Sequence, residues 1–324
     1  QALADGARAS WFPTLNATVG ATRSATAAAT ATAGSAPPKN SFSLGATASW
    51  EADVWGRIAR NVEAADARLE ASEADLAAAR LSAQAALAQS YFQLRAADRQ
   101  KQLLDAAVVA YARSLQLTQN RYAAGVAGKA DVAQAESQLR SARASALDAS
   151  LSRSQYEHAI AVLVGQVPAG FAIAVVDAPL PTAQVPVVLP STLLERRPDI
   201  AAAERRVAAA NSAIGAAQAA RFPVLGLSAS AGFRRSDLAD LLTVPSRYWS
   251  LGPSLAAAIF DAGAKKAVVG QAAASWEESV ATYRQTVLVA FQEVEDNLAA
   301  ARLLEEAAVE QAAAVAAAAE AETI

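Results

Sequence analysis

The sequence predicts a mainly α-helical chain with a small β part: long antiparallel helical hairpins of an α-barrel, four strands, and an internal structural repeat. Three observations carry this. Residues 57–119 contain neither glycine nor proline, and residues 265–324 contain only Gly270. Four short segments alternate with period two. Landmarks around Phe12-Pro13 and Gly56 recur around Phe222-Pro223 and Gly263.

Composition narrows the function classes. The 324 residues carry 28 Lys+Arg against 31 Asp+Glu, a formal net charge of −3. Nucleic-acid binding through a strongly basic surface does not fit that balance. With no cysteine, disulfides, Cys zinc sites and thiol nucleophiles are excluded; the one histidine, His158, excludes His-rich metal sites and most triads. No nucleophile–base–orienter set and no phosphate loop is present, so the chain reads as a non-enzyme without a cofactor. No run of 18 apolar residues occurs, so no hydrophobic transmembrane helix is expected. The chain also lacks methionine, so Gln1 is not a translational start and upstream sequence is expected.

The elements follow in chain order. Residues 1–56 read as the end of an incoming helix and a first β-hairpin, with alternation at 15–22 and 42–51. On the apolar side of the second strand Phe42 and Trp50 lie eight residues apart, roughly 26 Å. That matches the ~25 Å apolar band of a lipid-facing barrel with aromatic girdles. Trp55, Phe233, Tyr248 and Trp249 also fall at strand ends and complete the expected girdle. A soluble two-layer sheet is the competing reading, but it leaves Phe42, Trp50 and Phe233 exposed and provides no helix to cover them.

Residues 57–164 form a first long helical hairpin. At ~1.5 Å per residue, 57–119 alone makes a rod of roughly 95 Å. Leu87, Leu94, Val108 and Leu115 fall on heptad steps, with Lys101 in the gap. The turn near 121–128 is a tip, with Gly125 and Gly128 as helix stops. The returning helix, about 129–164, has seams at Val132, Leu139, Ala146, Arg153, Ile160 and at Ala135, Ala142, Ala149, Tyr156, Leu163. The proline-rich stretch 165–197 reads as an equatorial linker. A short helix follows at 198–221, opened by Pro198. A second β-hairpin occupies 222–263, with alternation at 225–234 and 249–256, and a second long helix runs through 264–324. Counting from the first unit, the second tip and its return helix fall past Ile324, so this last hairpin reads as incomplete.

Four strands leave two open sheet edges, and unpaired backbone groups in hydrocarbon cost several kcal/mol each. The sheet therefore requires strands from further copies, in a number the sequence does not fix.

The stretches Ser49–Arg57 (SWEADVWGR), Arg121–Leu139 (RYAAGVAGKADVAQAESQL), Arg196–Phe222 (RRPDIAAAERRVAAANSAIGAAQAARF), Leu251–Gly263 (LGPSLAAAIFDAG) and Tyr283–Asn297 (YRQTVLVAFQEVEDN) together resemble the outer-membrane factor family. These are TolC-like efflux channels, here similar to the lipoprotein branch paired with resistance-nodulation-division pumps. The resemblance implies a homotrimer with one 12-stranded transmembrane β-barrel. It implies a periplasmic helical tunnel closed at its tip, in the outer membrane of a Gram-negative bacterium. It further implies docking to a periplasmic adaptor and an inner-membrane transporter, contact with outer-membrane lipid, and passive passage of drugs or metal ions. The lipidated N-terminal cysteine of that branch has no counterpart in this chain. A periplasmic adaptor or coiled-coil scaffold is the alternative function, though it leaves the strands and the repeat unexplained.

By resemblance Asp131 takes the place of an aspartate that ties the closed tip to a tyrosine. A carboxylate one turn into a helix also favours the helix dipole, so both roles stand. Arg121 and Tyr122 are placed either to meet an adaptor or to cap and pack the turn, and Gly125 and Gly128 to shape it.

Overall fold

The computed structural model describes residues 1–25, 38–176 and 196–323; of the expected linker 165–197, residues 177–195 lie outside the described set. In chain order the elements are α1 (Ala2–Ala9), β1 (Thr14–Ser24), β2 (Lys39–Ala52), α2 (Arg57–Ala123), α3 (Lys129–Leu163), α4 (Pro198–Ala219), β3 (Val224–Arg235), β4 (Arg247–Ala256) and α5 (Ala264–Thr323). The architecture is mainly helical with one four-stranded antiparallel sheet among the described residues. The chain divides into two compact units, residues 1–75 with 188–324 and residues 76–187.

The first unit contains the sheet, in the order β1-β2-β3-β4, so β1 and β4 are its edges. Its registers make the repeat quantitative. Superposing Phe12-Pro13 on Phe222-Pro223 carries β1 onto β3, and superposing Ser43-Leu44-Gly45 on Ser250-Leu251-Gly252 carries β2 onto β4. The pair Val19↔Leu44 then falls on Ala229↔Leu251, and Thr18↔Gly45 on Ser228↔Gly252; all four pairings are present. Both hairpins thus keep one register although few of their side chains agree. Pro253 has no N–H for a ladder and accordingly lies on edge strand β4.

Each hairpin leads into a long helix by the same device. Asp53 accepts hydrogen bonds from the backbone N–H groups of Ile58 (2.9 Å) and Ala59 (2.7 Å) at the start of α2. Asp261 accepts them from Gly263 and Lys265, both at 3.0 Å, before α5. These carboxylates satisfy N–H groups that a helix end leaves without intrahelical partners. Gly56 and Gly263 adopt φ of +77° and +87°, a region that a Cβ disfavours.

Helix packing in this unit rests on alanine. The buried residues of α4 are Ala202, Ala203, Ala209, Ala216 and Ala219. Such small side chains permit close backbone approach. A Cβ at Gly215 would lie 3.0 Å from Arg60 Cδ of α2. Ion pairs flank the contacts: Arg8–Asp66 (2.9 Å) joins α1 to α2, while Arg205–Glu70 (3.2 Å) and Arg206–Asp75 (2.5 Å) join α4 to α2. Each is largely solvated and contributes at most about 1 kcal/mol.

The second unit is the remainder of α2, the tip and α3, followed by a 3-10 turn at Pro168–Gly170 and the extended residues to 176. Leu94 is fully buried, and α3 buries the seam positions Ala135, Leu139, Ala142, Ala149 and Ile160 together with Ala161, which lies on neither seam. Leu163, the last residue of α3, is exposed. Arg153 is the charged residue of these seams. Its guanidinium donates to Asp98 of α2 (2.6 Å), to Glu157 (3.1 Å) and to the Ile173 carbonyl (2.6 Å). Glu157 in turn accepts the Ile173 N–H at 2.6 Å, so both peptide groups of residue 173 are held to α3. Burial opposes the Arg153 charge, but Asp98 and then Glu157 outweigh it and raise its pKa above the ordinary arginine value.

Candidate functional site

The ladder registers sort the strand residues onto two chemically distinct faces. One carries Leu15, Ala17 and Val19 of β1, then Phe42, Leu44 and Trp50 of β2. It continues through Leu225, Leu227 and Phe233 of β3 and Trp249, Leu251 and Leu255 of β4. The other carries Thr14, Asn16, Thr18 and Thr22, Ser43, Thr47 and Ser49, Ser228 and Ser230, Ser250 and Ser254, with glycines between. Strand side chains alternate, so period-two sequence yields this segregation directly. The hydroxyls pair across strands: Thr14 with Ser49 at 2.7 Å and Ser230 with Ser250 at 2.8 Å. The apolar face is open. Trp249 is 77% exposed and Val19 83%.

Of the six aromatic positions singled out in the sequence, Phe42, Trp50, Phe233 and Trp249 share the apolar face. Trp50 also donates its indole N–H to the Trp11 carbonyl at 2.9 Å. Tyr248 departs from the girdle expectation. It pairs with Gly232, which pairs with Gly45, and this row lies on the hydroxyl face. Arg234 stands 5.0 Å above its ring. Neighbouring residues of a strand point opposite ways, so Tyr248 and Trp249 cannot share a face; matching parity to Leu251 and Leu255 places Trp249 on the apolar side. Trp55 departs as well. It precedes α2 outside the strands, stacks on Phe222 at 4.7 Å and donates to the Pro223 carbonyl at 2.8 Å. There it fastens the first hairpin to the start of the second.

At the tip, Gly125 has φ +76°; its N–H donates to the Tyr122 carbonyl and that of Val126 to the Arg121 carbonyl, both at 2.9 Å. This is the Schellman pattern that closes a helix with a left-handed glycine. The Arg121 and Tyr122 backbones therefore build the turn, while both side chains remain exposed. Gly128 is the N-cap of α3, and Asp131 Oδ2 accepts its N–H at 2.8 Å. Asp131 thus supplies the carboxylate arm of a capping box, to which glycine returns no side-chain arm.

A second electrostatic feature lies at the start of α4. Arg197 grips Asp199 through two hydrogen bonds (3.1 and 2.8 Å) and reaches Glu293 of α5 at 2.7 Å. The Arg197 hydrogen bonds lower the Asp199 pKa below the ordinary carboxylate value, and Arg197 is correspondingly raised. A lowered carboxylate stabilises the fold above its unfolded pKa of ~4 and loses that contribution as pH falls through the folded value. Asp199→Asn should abolish the acid-dependent part of amide protection in the first turn of α4. Hydrogen exchange at pH 7 and near pH 3 measures this. At neutral pH the loss should stay within about 1 kcal/mol, because the pair is partly solvated.

Arg153, Glu157 and Asp98 were not among the sequence-derived candidates. The available signal was a charge inside an otherwise apolar heptad seam.

No described helix is long and apolar enough to cross a membrane. The family model described as outer membrane efflux protein matches residues 1–166 and 189–323. The outer membrane protein OprJ of Pseudomonas aeruginosa is 35% identical over 305 residues, covering 92% of this chain and 63% of the relative. The solvent efflux pump outer membrane protein SrpC of Pseudomonas putida is 32% identical over 294 residues, covering 90% of this chain and 63% of the relative. The chain therefore spans less than two thirds of the length of these curated relatives. Among solved structures, a membrane protein from Pseudomonas aeruginosa superposes with a TM-score of 0.85 at 33% identity, over 92% of this chain and 70% of that one. Family match and fold agree: the chain belongs to the outer membrane efflux protein family.

Proposed function

We propose that this chain forms most of one subunit of an outer-membrane exit duct in a tripartite efflux system of a Gram-negative bacterium. In this reading the protein passively conducts small molecules, drugs or metal ions, handed on by an inner-membrane resistance-nodulation-division transporter and a periplasmic adaptor. The observation that carries it is the sheet: an apolar face backed by a hydroxyl face, with both edges open. Such a sheet suits a wall between lipid and water, and in lipid it must close on itself. A homotrimer contributes four strands per subunit to a 12-stranded barrel. Phe42, Trp50, Phe233 and Trp249 are its lipid-facing aromatics, and Tyr248 belongs to the lumen. The similarity to a solvent efflux pump component supports the assignment.

The test is expression of the intact protein in a strain lacking its own exit ducts. The expected result is outer-membrane fractionation, an oligomer that collapses to monomer on gels only after heating, and restored tolerance to an exported solvent or drug. A monomer that remains in the aqueous fraction without detergent would overturn it and favour a periplasmic scaffold.

The tip is proposed as the gate, with Asp131 as a charged element and Arg121, Tyr122, Gly125 and Gly128 shaping the surface that meets the adaptor. Because Asp131 also caps α3, two substitutions separate the roles. Asp131→Asn keeps an oxygen for the Gly128 N–H and removes the charge, whereas Asp131→Ala removes both. If the charge holds the tip closed, both should raise single-channel conductance in planar bilayers several-fold, consistent with losing a few charge-assisted hydrogen bonds. Conductance unchanged in both variants removes Asp131 from the gate and leaves it a helix cap.

A further inference from the structure

The apolar face of the sheet ends differently at its two margins. On the side of the helices it ends on Leu15, Trp50, Leu225 and Leu255, without a charged residue. On the far side it ends on Arg23 of β1, Arg235 of β3 and Arg247 of β4. Parity places them on that face. Arg23 lies two and four residues beyond Ala21 and Val19, Arg235 pairs with Phe42, and Arg247 pairs with Phe233. All three are exposed, and Arg247 stands 6.0 Å over the Phe233 ring. None of the three has an ion pair among the described residues.

The arginines follow the line of the aromatics. Trp249 of β4, Phe233 of β3 and Phe42 of β2 step outward by one two-residue row per strand. Arg247 and Arg235 repeat that diagonal one row beyond it, and Arg23, opposite Asn40, carries it onto β1. From β4 to β1 the arginines advance about 14 Å along the strands for about 14 Å across them. A line of that slope lies level in a barrel whose strands tilt by ~45°. Charge gathers here as well. Residues 23–43 and 233–247 hold Arg23, Lys39, Arg234, Arg235 and Arg247 against Asp237 and Asp240, in a chain of net charge −3.

We propose that Arg23, Arg235 and Arg247 bind the phosphate groups of a phosphorylated glycolipid in the outer leaflet. This rests on the duct reading and names the lipid that its sheet engages. In that reading the margin away from the helices is the outer one. The arginine stems lie along the apolar band while their heads reach the headgroup layer. A guanidinium is a planar fork that matches phosphate oxygens, and it sheds water more readily than an ammonium. The strand geometry sets Arg247 about 8 Å from Arg235, and Arg235 about 12 Å from Arg23. Such an array rewards a rigid sugar headgroup that carries two phosphates, because the second contact forms within the same complex. A lipid with one phosphate on a flexible stem gains no such advantage.

The test uses the intact protein, purified from outer membranes in detergent as its heat-sensitive oligomer. Fluorescent lipid A with both phosphates is titrated against it, beside phosphate-free lipid A and phosphatidylglycerol. The two comparison lipids should bind at least ~10-fold more weakly, the loss expected for one missing charge-assisted hydrogen bond. Arg23→Gln, Arg235→Gln and Arg247→Gln together should weaken binding of the bisphosphorylated lipid by at least the same ~10-fold. Arg234→Gln removes the same charge from the opposite face and should leave binding unchanged. If the triple variant fails to assemble, Arg23→Gln with Arg235→Gln serves, because it leaves the Arg247–Phe233 contact intact. Undiminished binding by the substituted oligomer overturns the site. So does an equal loss in Arg234→Gln, or phosphatidylglycerol or phosphate-free lipid A binding as tightly as the bisphosphorylated form; in each case the duct assignment stands. An unsubstituted protein that never reaches the outer membrane overturns both.

Discussion

Arg153→Ala should destabilise the second unit by about 3–5 kcal/mol, the range for removing one partner of a buried ion pair. The Arg153 side chain is 17% exposed, and that of its partner Asp98 only 5%. Without the cation, Asp98 remains as a buried carboxylate facing α3, and Glu157 loses the charge that orients it toward the Ile173 N–H. The substitution should therefore do two things at once: weaken the α2–α3 contact at mid-length and release residues 171–176 from α3. Hydrogen exchange should show strong loss of protection at Ile173, and limited proteolysis should cut between 165 and 176. Asp98→Asn placed in the Arg153→Ala background should recover part of the loss, because it removes the stranded charge. Equal stability of Arg153→Ala and the unsubstituted protein would mean that solvent already neutralises the site.

Gly232→Val should prevent the sheet from forming as described. A Cβ at residue 232 would collide with the Leu44 carbonyl oxygen and lie 2.6 Å from Gly45 Cα on the neighbouring strand. These are backbone atoms and cannot swing aside, so β2 and β3 would have to separate where they share a register row. Overpacking of this kind costs about 1–3 kcal/mol even when neighbouring side chains adapt, and here the ladder itself must yield. The expected readout is a drop in the heat-sensitive oligomer and in outer-membrane protein level. Gly45→Ala is a graded version. Its Cβ meets the Tyr248 hydroxyl at 2.5 Å, the end of a side chain, and the Ala231 carbonyl at 3.2 Å. Tyr248→Phe should therefore relieve Gly45→Ala but not Gly232→Val, and a double-mutant cycle separates the two cases.

Much of this architecture was legible because the sequence keeps two periods apart. An Ala-rich stretch without Gly or Pro runs as α2 and one broken only by Gly270 runs as α5, and period-two segments run as β1 to β4, extended by a few residues where the alternation weakens into Ser, Arg or Lys. The repeat was legible because Phe-Pro and Gly landmarks mark strand and helix starts, which are backbone requirements rather than packing choices. What could not be read depended on registers between distant segments. The Asp98–Arg153 contact needs the phase of one long helix against another, which neither helix carries alone. The position of Tyr248 needed strand parity set against a neighbouring aromatic, and aromatic content alone suggested a belt. The Trp55–Phe222 stack joins residues on either side of a long hairpin. Asp131 was legible as a helix-start carboxylate, and its bond to Gly128 follows from the three-residue spacing of a capping box.

The hydroxyl pairs on the sheet bear on what such a surface does to a passing solute. Thr14 with Ser49 and Ser230 with Ser250 each engage part of their hydrogen-bonding capacity on each other. In the duct proposed above, a passing solute would meet hydroxyls already partly engaged with each other, which weakens any single contact. Conduction depends on weak residence as well as on access. If this face lines the proposed duct, its partly engaged hydroxyls favour no particular solute, and discrimination would fall to whichever component loads the duct.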